Sequence, residues 1–300
     1  MKVAAAADPV ACPVCEATNT ELYLDGGEQE LAHSVIGSSR QHISPGRILR
    51  CRSCGFGFRQ GRSSPQELRD LYRQMDPNVY ESEMQGRDRT ARKHMKIVER
   101  HVRPGRILDV GCASGLFLHR ALKSGWDITG VEPSEALYSE ARIRLGGKGQ
   151  LECTTLEEAG LQTGFDAVTL WDVLEHVPDP RGFLRLCRGL LKHGGYLFLN
   201  VPDLDSLEAR VLGRRWPLLL PEHLNYFNGD SLRACGERVG FVPVRLGRRR
   251  AIFSVKYVAY RAAQHQILGS SLLQKAAESF LGRIMIPVSL GEALAVWRAA

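Results

Sequence analysis

A loop with two glycines follows an acidic residue at the end of a predicted strand, within residues 107–118. Gly111 lets the chain turn sharply as it leaves the strand, and Gly115 lets the backbone pass close to a ligand. A nicotinamide-binding turn has three glycines and places a pyrophosphate on the helix N-terminus. The middle glycine of that pattern is absent here. Because Asp109 would repel a pyrophosphate but attract an ammonium group, the loop predicts a ligand with an amino-acid tail.

An acidic residue also ends the second predicted strand, in the pair Val131-Glu132. A carboxylate about 20 residues beyond a glycine loop of this kind accepts hydrogen bonds from both hydroxyl groups of a ribose. Glu132 is therefore predicted to bind a ribose. The two acids together favour a nucleoside ligand that carries an amino-acid tail.

Four cysteines near the N-terminus form two pairs, Cys12-Pro-Val-Cys15 and Cys51-Arg-Ser-Cys54. Four thiolates in this arrangement bind one Zn²⁺ tetrahedrally and leave no position for water, so the predicted role of the metal is structural. The long gap between the pairs is tolerated because the cost of loop closure rises only logarithmically with length. The remaining cysteines are predicted to be packing residues. They are Cys112, Cys153, Cys187 and Cys235.

Strand and helix patterns alternate after Pro104. This alternation predicts the α/β class, with a Rossmann-like seven-stranded parallel sheet that has helices on both faces. The predicted strands include residues 106–110, 127–131, 165–171, 196–201, 241–246 and 294–297. The predicted helices include residues 116–123, 134–144 and 231–239, and one that opens at Asp179-Pro180. Residues 251–285 are expected to be helical, although residues 252–260 also fit a strand.

Three parts are predicted along the chain. Residues 1–60 form a small zinc-ribbon module of short strands and loops, and residues 61–103 form a helical neck. The neck contains a helix that begins at Ser64-Pro65 and a second helix over residues 86–102. Residues 104–300 form the α/β domain, in which the proline-containing residues 202–228 form a lid or substrate loop.

The glycine loop and three later segments closely resemble the class I S-adenosylmethionine-dependent methyltransferases, over about residues 104–300. The later segments are Glu132-Pro-Ser134, residues 165–180 and Gly194-Gly-Tyr-Leu-Phe-Leu199. The resemblance implies that S-adenosyl-L-methionine is the methyl donor. The residues implied to line its methionine end are Asp109, Gly111, Cys112, Ala113 and Gly115. The residues implied at the ribose and adenine are Glu132, Pro133, Thr155 and Leu156. Those implied to close over the adenosine and face the acceptor are Trp171, Asp172 and Val173.

Two positions depart from the usual pattern of this family. Ala113 replaces the glycine that is most common there, and Thr155 stands near the place of an aspartate that meets the adenine amino group. The second departure bears on the adenine contacts, while the methionine and ribose positions keep their expected residue types.

Two histidines lie in loops that are expected to rim the site, His176 and His223. The motif Glu222-His223-x-x-Tyr226-Phe227 resembles a motif of sugar C-methyltransferases, which implies that His223 is a base assisted by Glu222, with His176 as a helper. For a hydroxyl or carbon acid, such a base contributes roughly 10²–10⁴-fold to the rate. The alternative is that His223 caps or packs the lid, anchored by the two aromatic residues.

The cysteine module also resembles a known type of domain. Cys51-x-x-Cys-Gly-Phe-Gly-Phe58, followed by Ser64-Pro-x-Glu-Leu, is similar to the N-terminal zinc ribbon fused to many bacterial methyltransferases of glycan and natural-product pathways. This implies a small-molecule acceptor, such as a sugar or a natural-product intermediate, and methylation of oxygen or carbon. The alternative is an RNA base methyltransferase whose ribbon binds nucleic acid. A non-catalytic scaffold is disfavoured because the loop and its acids are intact.

Composition and charge add limits on the environment. The 300 residues are 44% hydrophobic and 24% charged, as in an ordinary soluble protein, and no apolar run suggests a membrane span. A cytoplasmic enzyme is expected. The net charge of +7 includes the run Arg248-Arg-Arg250, which is expected to be solvated surface. Nucleic acid is therefore a disfavoured partner, and the apolar C-terminal region is compatible with a homodimer.

Overall fold

The computed structural model describes residues 10–27, 45–61, 83–267 and 270–300. The strands in these ranges are β1 (Thr20–Leu24), β2 (Ile48–Cys51), β3 (Gly57–Arg59), β4 (Arg106–Val110), β5 (Asp127–Val131), β6 (Gln150–Glu152), β7 (Phe165–Trp171), β8 (Leu191–Pro202), β9 (Asn225–Tyr226), β10 (Phe241–Ser254) and β11 (Met285–Ala299). The α-helices are α1 (Met84–Glu99), α2 (Leu116–Lys123), α3 (Glu135–Leu145), α4 (Pro180–Leu190), α5 (Leu207–Leu212), α6 (Gly229–Arg238), α7 (Val255–Gln264) and α8 (Ser270–Glu278). The helix predicted to begin at Ser64 lies outside the described residues. Within them, no helix combines the length and the apolar character that crossing a membrane requires.

The larger sheet has seven strands in the order β10-β11-β8-β7-β4-β5-β6. Neighbours from β8 to β6 are parallel, whereas β11 is antiparallel to both β8 and β10. The predicted Rossmann-like, seven-stranded architecture is confirmed, except that β11 runs antiparallel to the other six strands. Because parallel strands end at the same edge of a sheet, β7, β4, β5 and β6 present their carboxyl ends side by side.

Helices cover both faces of this sheet, as the strand sequences require. Ile107 of β4 packs in a cluster with residues of α1 and α2, whereas the next residue, Leu108, packs in a second cluster with residues of α4 and α6. Successive side chains of a strand point to opposite faces, so an apolar run predicts burial on both. Of the cysteines predicted to pack, Cys153 is an exception because it is exposed.

A smaller sheet contains four strands in the order β1-β2-β3-β9. Its first three strands come from the cysteine module, and β9 comes from the predicted lid. The Phe56 and Phe227 rings meet edge to face with centroids 4.9 Å apart. Ile48 of β2 shares a third buried cluster with Trp216 and Tyr226 of the lid. The module therefore packs against residues 204–227 through both strand pairing and an apolar core. The domain boundaries at residues 60 and 103 stay predictions.

Two segments differ from the sequence-based expectation. Residues 202–228 contain α5 and β9 as well as loop. The strands expected over residues 241–246 and 294–297 are much longer, because β10 and β11 pair in antiparallel fashion as far as Ser254 and Met285. The chain is therefore strand, not helix, over residues 251–254, and the helices α7 and α8 follow.

A capping box fixes the chain direction where the lid ends. The Asn228 side chain accepts a hydrogen bond of 2.8 Å from the Ser231 amide, and the Ser231 hydroxyl accepts one of 2.9 Å from the Asn228 amide. These bonds satisfy two amide groups at the helix N-terminus that would otherwise lack partners. Asn228 also donates to Asp205, which accepts two hydrogen bonds from Arg50 of β2. The end of the lid is thus tied to the cysteine module.

We expect Phe56→Ala to lower the free energy of unfolding by about 3–5 kcal/mol, because it empties a fully buried ring site between the module and the core. The measurement is urea denaturation followed by circular dichroism. Phe280→Ala is the matched control, since that ring is 80% exposed and its loss should cost less than about 0.5 kcal/mol. Equal effects of the two substitutions would contradict the packing described above.

Candidate active site

Asp109 is the second-to-last residue of β4 and is almost completely buried, with 3% of its surface exposed. Its Oδ1 accepts a hydrogen bond of 2.5 Å from the Thr169 hydroxyl on the adjacent strand β7. Burial raises the pKa of Asp109 to about 7; the Thr169 hydrogen bond opposes this rise, and the nearby Glu132 adds to it. A cation beside this carboxyl would be stabilised, because its charge would favour the carboxylate form.

The loop after β4 contains three residues in the left-handed region of backbone conformation. Gly111 has φ +67°, Ala113 has φ +46° and Gly115 has φ +74°. A Cβ at Gly111 would lie 3.0 Å from Val173 Cγ2, and one at Gly115 would lie 3.1 Å from Ala141 Cβ. Both glycines are therefore required by conformation and by close packing. Ala113 adopts the same region at a cost of roughly 1–2 kcal/mol, which explains why glycine is the commoner residue there.

Glu132 follows β5 and lies across from this loop, with 4% of its surface exposed. Its Oε2 accepts a hydrogen bond of 2.9 Å from the Ala113 amide, and its Oε1 accepts one of 2.9 Å from the Ser134 amide. Burial raises the pKa of Glu132 to about 7, although these two hydrogen bonds lower it. A carboxylate has about four lone-pair sites, so two remain for the hydroxyl groups of a ribose.

The other positions predicted around the donor border the same loop. Cys112 and Leu156 are buried, and Pro133 and Thr155 are half-buried. Leu156 comes soon after β6, which pairs with β5. The carboxyl ends of four adjacent strands therefore bring the predicted donor-binding residues to one edge of the sheet.

Trp171 ends β7 and is covered by a histidine from α1. Its ring stacks on that of His94, with centroids 3.8 Å apart and planes inclined by 15°, and it meets the Phe117 ring edge to face. Burial holds the pKa of His94 well below its usual value, so the imidazole is neutral. The sequence analysis did not single out His94. Its burial could have been predicted from its place between Ala91 and Met95 on the apolar face of the helix.

Arg249 of β10 links four elements beside the ends of β7 and β8. Its Nη1 and Nη2 donate to the two carboxylate oxygens of Asp172 at 2.9 and 3.1 Å, and Nη1 also donates to Glu292 Oε1 at 2.5 Å. Its Nε donates to His94 Nε2 at 3.2 Å. Asn200 Nδ2 donates to Asp172 at 2.5 Å and to Glu292 at 2.9 Å. We call these five residues the Arg249 cluster.

The two acids of the Arg249 cluster differ in protonation. Burial alone would raise the pKa of Asp172, but the Arg249 charge and the Asn200 hydrogen bond hold it well below its usual range. Burial raises the pKa of Glu292 to about 8 despite the same guanidinium. At neutral pH Asp172 is therefore ionised and Glu292 is protonated.

The arginine run expected to be solvated surface is divided by the strand that contains it. Arg248 and Arg250 are exposed, whereas the Arg249 side chain is only 10% exposed. Alternate residues of a strand point to opposite sides, so the middle arginine faces the cluster. The expectation was wrong for Arg249 because the predicted strand ended at residue 246.

His176 and His223 meet edge to face with ring centroids 4.8 Å apart. Each Nδ1 lies within hydrogen-bond distance of a backbone carbonyl, that of Glu222 at 3.1 Å and that of Leu218 at 2.9 Å. Because a carbonyl can only accept, each Nδ1 carries the proton and Nε2 is the basic nitrogen. Burial lowers the pKa of His176 to about 4. Burial also lowers the pKa of His223, as does the repulsion that a protonated His176 would exert. Both rings are therefore neutral at pH 7.

Two glutamates adjoin the histidine pair. Glu222 is buried, and burial raises its pKa to about 7. Glu175 is 2% exposed, and its Oε2 has no hydrogen-bond partner among the residues that the structure describes. Ligand atoms of Glu175, His176 and His223 lie within 4.8 Å of one another, a spacing that a divalent cation could bridge. The sequence analysis predicted His176, His223 and Glu222 but missed Glu175, whose signal was its place directly before His176.

The sulfur atoms of four cysteines lie within 4.8 Å of one another: Cys12, Cys15, Cys51 and Cys54. The closest pairs are 3.6 and 3.5 Å apart, and all four are free thiols. Sulfurs at about 2.3 Å from a tetrahedral zinc lie roughly 3.8 Å apart, so this donor set fits the ion. Gly55 has φ +74°, and a Cβ there would lie 2.3 Å from Asn228 Nδ2, so the second knuckle requires glycine.

The strand order, the glycine loop and the acids after two adjacent strands define a class I methyltransferase architecture. A family model described as a methyltransferase domain matches residues 80–246, which is more than half of the 300-residue chain. The chain belongs to this methyltransferase family.

Named relatives are similar over part of the same region. The chain is 32% identical over 150 residues to the ubiquinone biosynthesis O-methyltransferase of Bordetella avium, which covers 46% of this chain and 62% of that protein. It is 37% identical over 127 residues to the protein of the same name from Marinobacter nauticus, which covers 39% of this chain and 53% of that protein. The chain thus spans less than two thirds of the length of these relatives.

A solved structure shares the fold. The 1,6-didemethyltoxoflavin-N1-methyltransferase of Burkholderia thailandensis, with bound 1,6-didemethyltoxoflavin and S-adenosylhomocysteine, superposes with a TM-score of 0.51. The two chains are 16% identical, and the match covers 85% of this chain and 95% of the other. At this identity the likeness shows the fold alone.

We expect Arg249→Leu to lower the free energy of unfolding by about 2–3 kcal/mol, because it leaves Asp172 without its buried ionic partner. Urea denaturation at pH 7 measures the change. Arg250→Leu is the control, since the neighbouring side chain is exposed. If both variants lose the same stability, the Arg249 cluster is not a stabilising unit.

Proposed function

We propose that this chain transfers the methyl group of S-adenosylmethionine to a hydroxyl oxygen of a small-molecule acceptor, with His223 or His176 as the general base. The observation that carries the proposal is the pair of neutral histidines whose ring centroids are 4.8 Å apart, the buried His223 and the half-buried His176, which lies in the turn that follows β7. Ligands of open α/β sheets bind at the carboxyl ends of strands, where this pair and the glycine loop both lie.

The donor fits the two buried acids. Asp109 and Glu132 both have pKa values raised to about 7 chiefly by burial, so each would gain from a polar or cationic partner. The ammonium group of the donor would pair with Asp109, and its ribose hydroxyls would donate to Glu132. Gly111 and Gly115 allow the left-handed backbone turns that would bring the loop beside the methionine part, and Leu156 offers an apolar surface to the adenine.

The acceptor atom is proposed from two sources. The relatives from Bordetella avium and Marinobacter nauticus are named O-methyltransferases of ubiquinone biosynthesis, which supports an oxygen acceptor. The motif around His223 resembles that of sugar C-methyltransferases, which supports a base at this position. We therefore propose a hydroxyl-bearing metabolite, such as a sugar or natural-product intermediate, as the acceptor class.

The chain's own residues would position the acceptor and take its proton. S-adenosylmethionine would supply a methyl group on a sulfonium. The acceptor oxygen would attack that methyl carbon in line and displace S-adenosylhomocysteine as the leaving group. As the oxygen–carbon bond forms and the carbon–sulfur bond breaks, the hydroxyl proton moves to a histidine Nε2. The Asp172 carboxylate raises the pKa of both histidines, so it would stabilise the imidazolium that forms. Glu175 Oε2, for which the described part of the chain offers no partner, would accept a hydrogen bond from the acceptor.

We expect the double variant His176→Ala with His223→Ala to lower kcat by about 10²–10⁴-fold, because both candidate bases are removed. Release of S-adenosylhomocysteine is measured by mass spectrometry with a panel of phenols, sugars and keto-sugars. His193→Ala is the control, since that histidine lies in β8 outside the site.

Donor binding is measured on the same variants by calorimetry. The affinity for S-adenosylhomocysteine should stay within a few-fold of wild type, since the histidines belong to the acceptor side. Turnover of the double variant within a few-fold of wild type would contradict the proposal that His176 or His223 is the general base. Absence of donor binding by the wild type would contradict the methyltransferase, and methylation of total RNA instead of the panel would favour the RNA alternative.

A second part of the proposal is a structural zinc ion held by Cys12, Cys15, Cys51 and Cys54. The sulfur positions support it, and a closed shell of four thiolates leaves no site for catalysis. The ion would join the two knuckles of the module and so stabilise the sheet that contains β9.

We expect the purified protein to contain one zinc ion per chain, and the variant Cys12→Ser with Cys51→Ser to lose it together with thermal stability. Metal content is measured by plasma mass spectrometry and stability by calorimetry. Cys153→Ser is the control because that cysteine is exposed and lies outside the module. A folded wild-type protein that contains no zinc, purified without chelators, would contradict this part of the proposal.

A further inference from the structure

The cysteine module and the candidate base share one sheet. Strand β3 pairs antiparallel with β9, where Phe58 lies opposite Asn225 and Gly57 lies opposite Tyr226. His223 precedes β9 by only two residues. The backbone position of the candidate base is therefore connected to the module through main-chain hydrogen bonds.

Arg59, the last residue of β3, makes two hydrogen bonds to the chain segment that contains His223. Its amide donates to the Leu224 carbonyl at 3.0 Å, and its Nη1 donates to the Pro221 carbonyl at 2.7 Å. These two carbonyls flank Glu222 and His223 in the sequence. The Arg59 residue is only 5% exposed, so its guanidinium makes the second bond away from bulk water, where a hydrogen bond from a charged donor is strong.

The other side of the same segment is held by the turn that carries His176. The Leu224 amide donates to the Glu175 carbonyl at 2.8 Å, and His176 Nδ1 donates to the Glu222 carbonyl at 3.1 Å. Asn225 Nδ2 donates to the carbonyls of Leu174 and Val177, which begin and end this turn. Residues 221–225 thus lie between the module and the turn, with hydrogen bonds to both.

We infer that Arg59 is a positioning residue for the acceptor site, and that the cysteine module serves to hold residues 221–225, and with them His223, against the turn at Glu175 and His176. This inference rests on the proposed function for its catalytic meaning. The module's role is then internal to the active site and requires no ligand of its own beyond the metal. Small misplacement of a reacting group can cost about 10²-fold in rate, so such a support has a large effect on turnover.

The variant Arg59→Gln tests the inference, because it removes the charge and the fork of donors while it keeps a polar side chain. Arg59→Lys is the conservative variant that can still donate to the Pro221 carbonyl. Arg52→Gln is the matched control, since Arg52 lies in the same module but is 59% exposed and pairs with Glu21.

Two readouts do not need the acceptor. The first is amide exchange of Leu224 in heavy water, which should be at least about tenfold faster in Arg59→Gln because the segment opens locally. The second is the titration of labelled histidines followed by NMR. Burial keeps the pKa of His223 well below its usual value in the wild type, and Arg59→Gln should move it upward toward about 6.5 as water enters.

His94 serves as an internal control in the same spectra. It is also buried with a lowered pKa, but it lies on α1 outside the segment. A positioning role predicts a change at His223 with none at His94, and binding of S-adenosylhomocysteine within about threefold of wild type. With an acceptor from the panel, kcat should fall at least about tenfold, and Arg59→Lys should recover part of it.

Two results would overturn the inference. One is wild-type exchange of Leu224 and an unshifted His223 in Arg59→Gln. The other is a joint change at His223 and His94 with loss of S-adenosylhomocysteine binding, which would reveal general destabilisation. If Arg59→Gln does not fold, Arg59→Met replaces it, because it keeps the apolar stem and has no donor for the Pro221 carbonyl. Wild-type behaviour of that variant in both readouts has the same force. Failure of the wild type to bind S-adenosylhomocysteine would overturn the proposed function, while the exchange and titration data would still test the role of Arg59.

Discussion

The parallel pairing of β4 with β5 and β7 brings the buried Asp109 and Glu132 and the half-exposed Asp172 to one edge of the sheet, and the rest of the site depends on how their charge is accommodated. A carboxylate away from water is costly unless it is paired or hydrogen-bonded. Asp109 has one hydroxyl donor, Glu132 has two amide donors and Asp172 has a guanidinium. Only Asp172 is fully compensated, so the other two retain their capacity for a polar ligand.

The residues that pair with the Asp172 carboxylate come from distant parts of the chain. Arg249 comes from β10, which pairs antiparallel with β11, and its hydrogen bond to His94 extends the cluster to α1. His94 in turn stacks on Trp171, next to the charged aspartate. The antiparallel pair β10–β11 therefore does more than lengthen the sheet, because it supplies the largely buried cation that pairs with the half-exposed Asp172 carboxylate.

The features that could be predicted from the sequence are those that depend on residues close together in the chain. The bounds of β4, α2, β5 and β7 follow from apolar runs that end in glycine or a polar residue. The positions of Asp109, Glu132 and His176 follow from the rule that parallel strands end together. Arg249 was missed because strand alternation could be applied only if β10 was known to continue past residue 246. The pairing of β3 with β9 was missed because no local pattern encodes a contact between residues so distant in sequence.

That distance has a consequence for the order of folding. The four cysteines lie at most 42 positions apart in their closest pairs, whereas Arg59 and Pro221 are 162 positions apart. Contacts between near residues form sooner than contacts that close long loops. During synthesis the knuckles can therefore close early, while the edge of β3 stays without its partner until β9 has emerged. In that interval the growing chain exposes a strand edge, the feature most prone to pairing with a wrong partner.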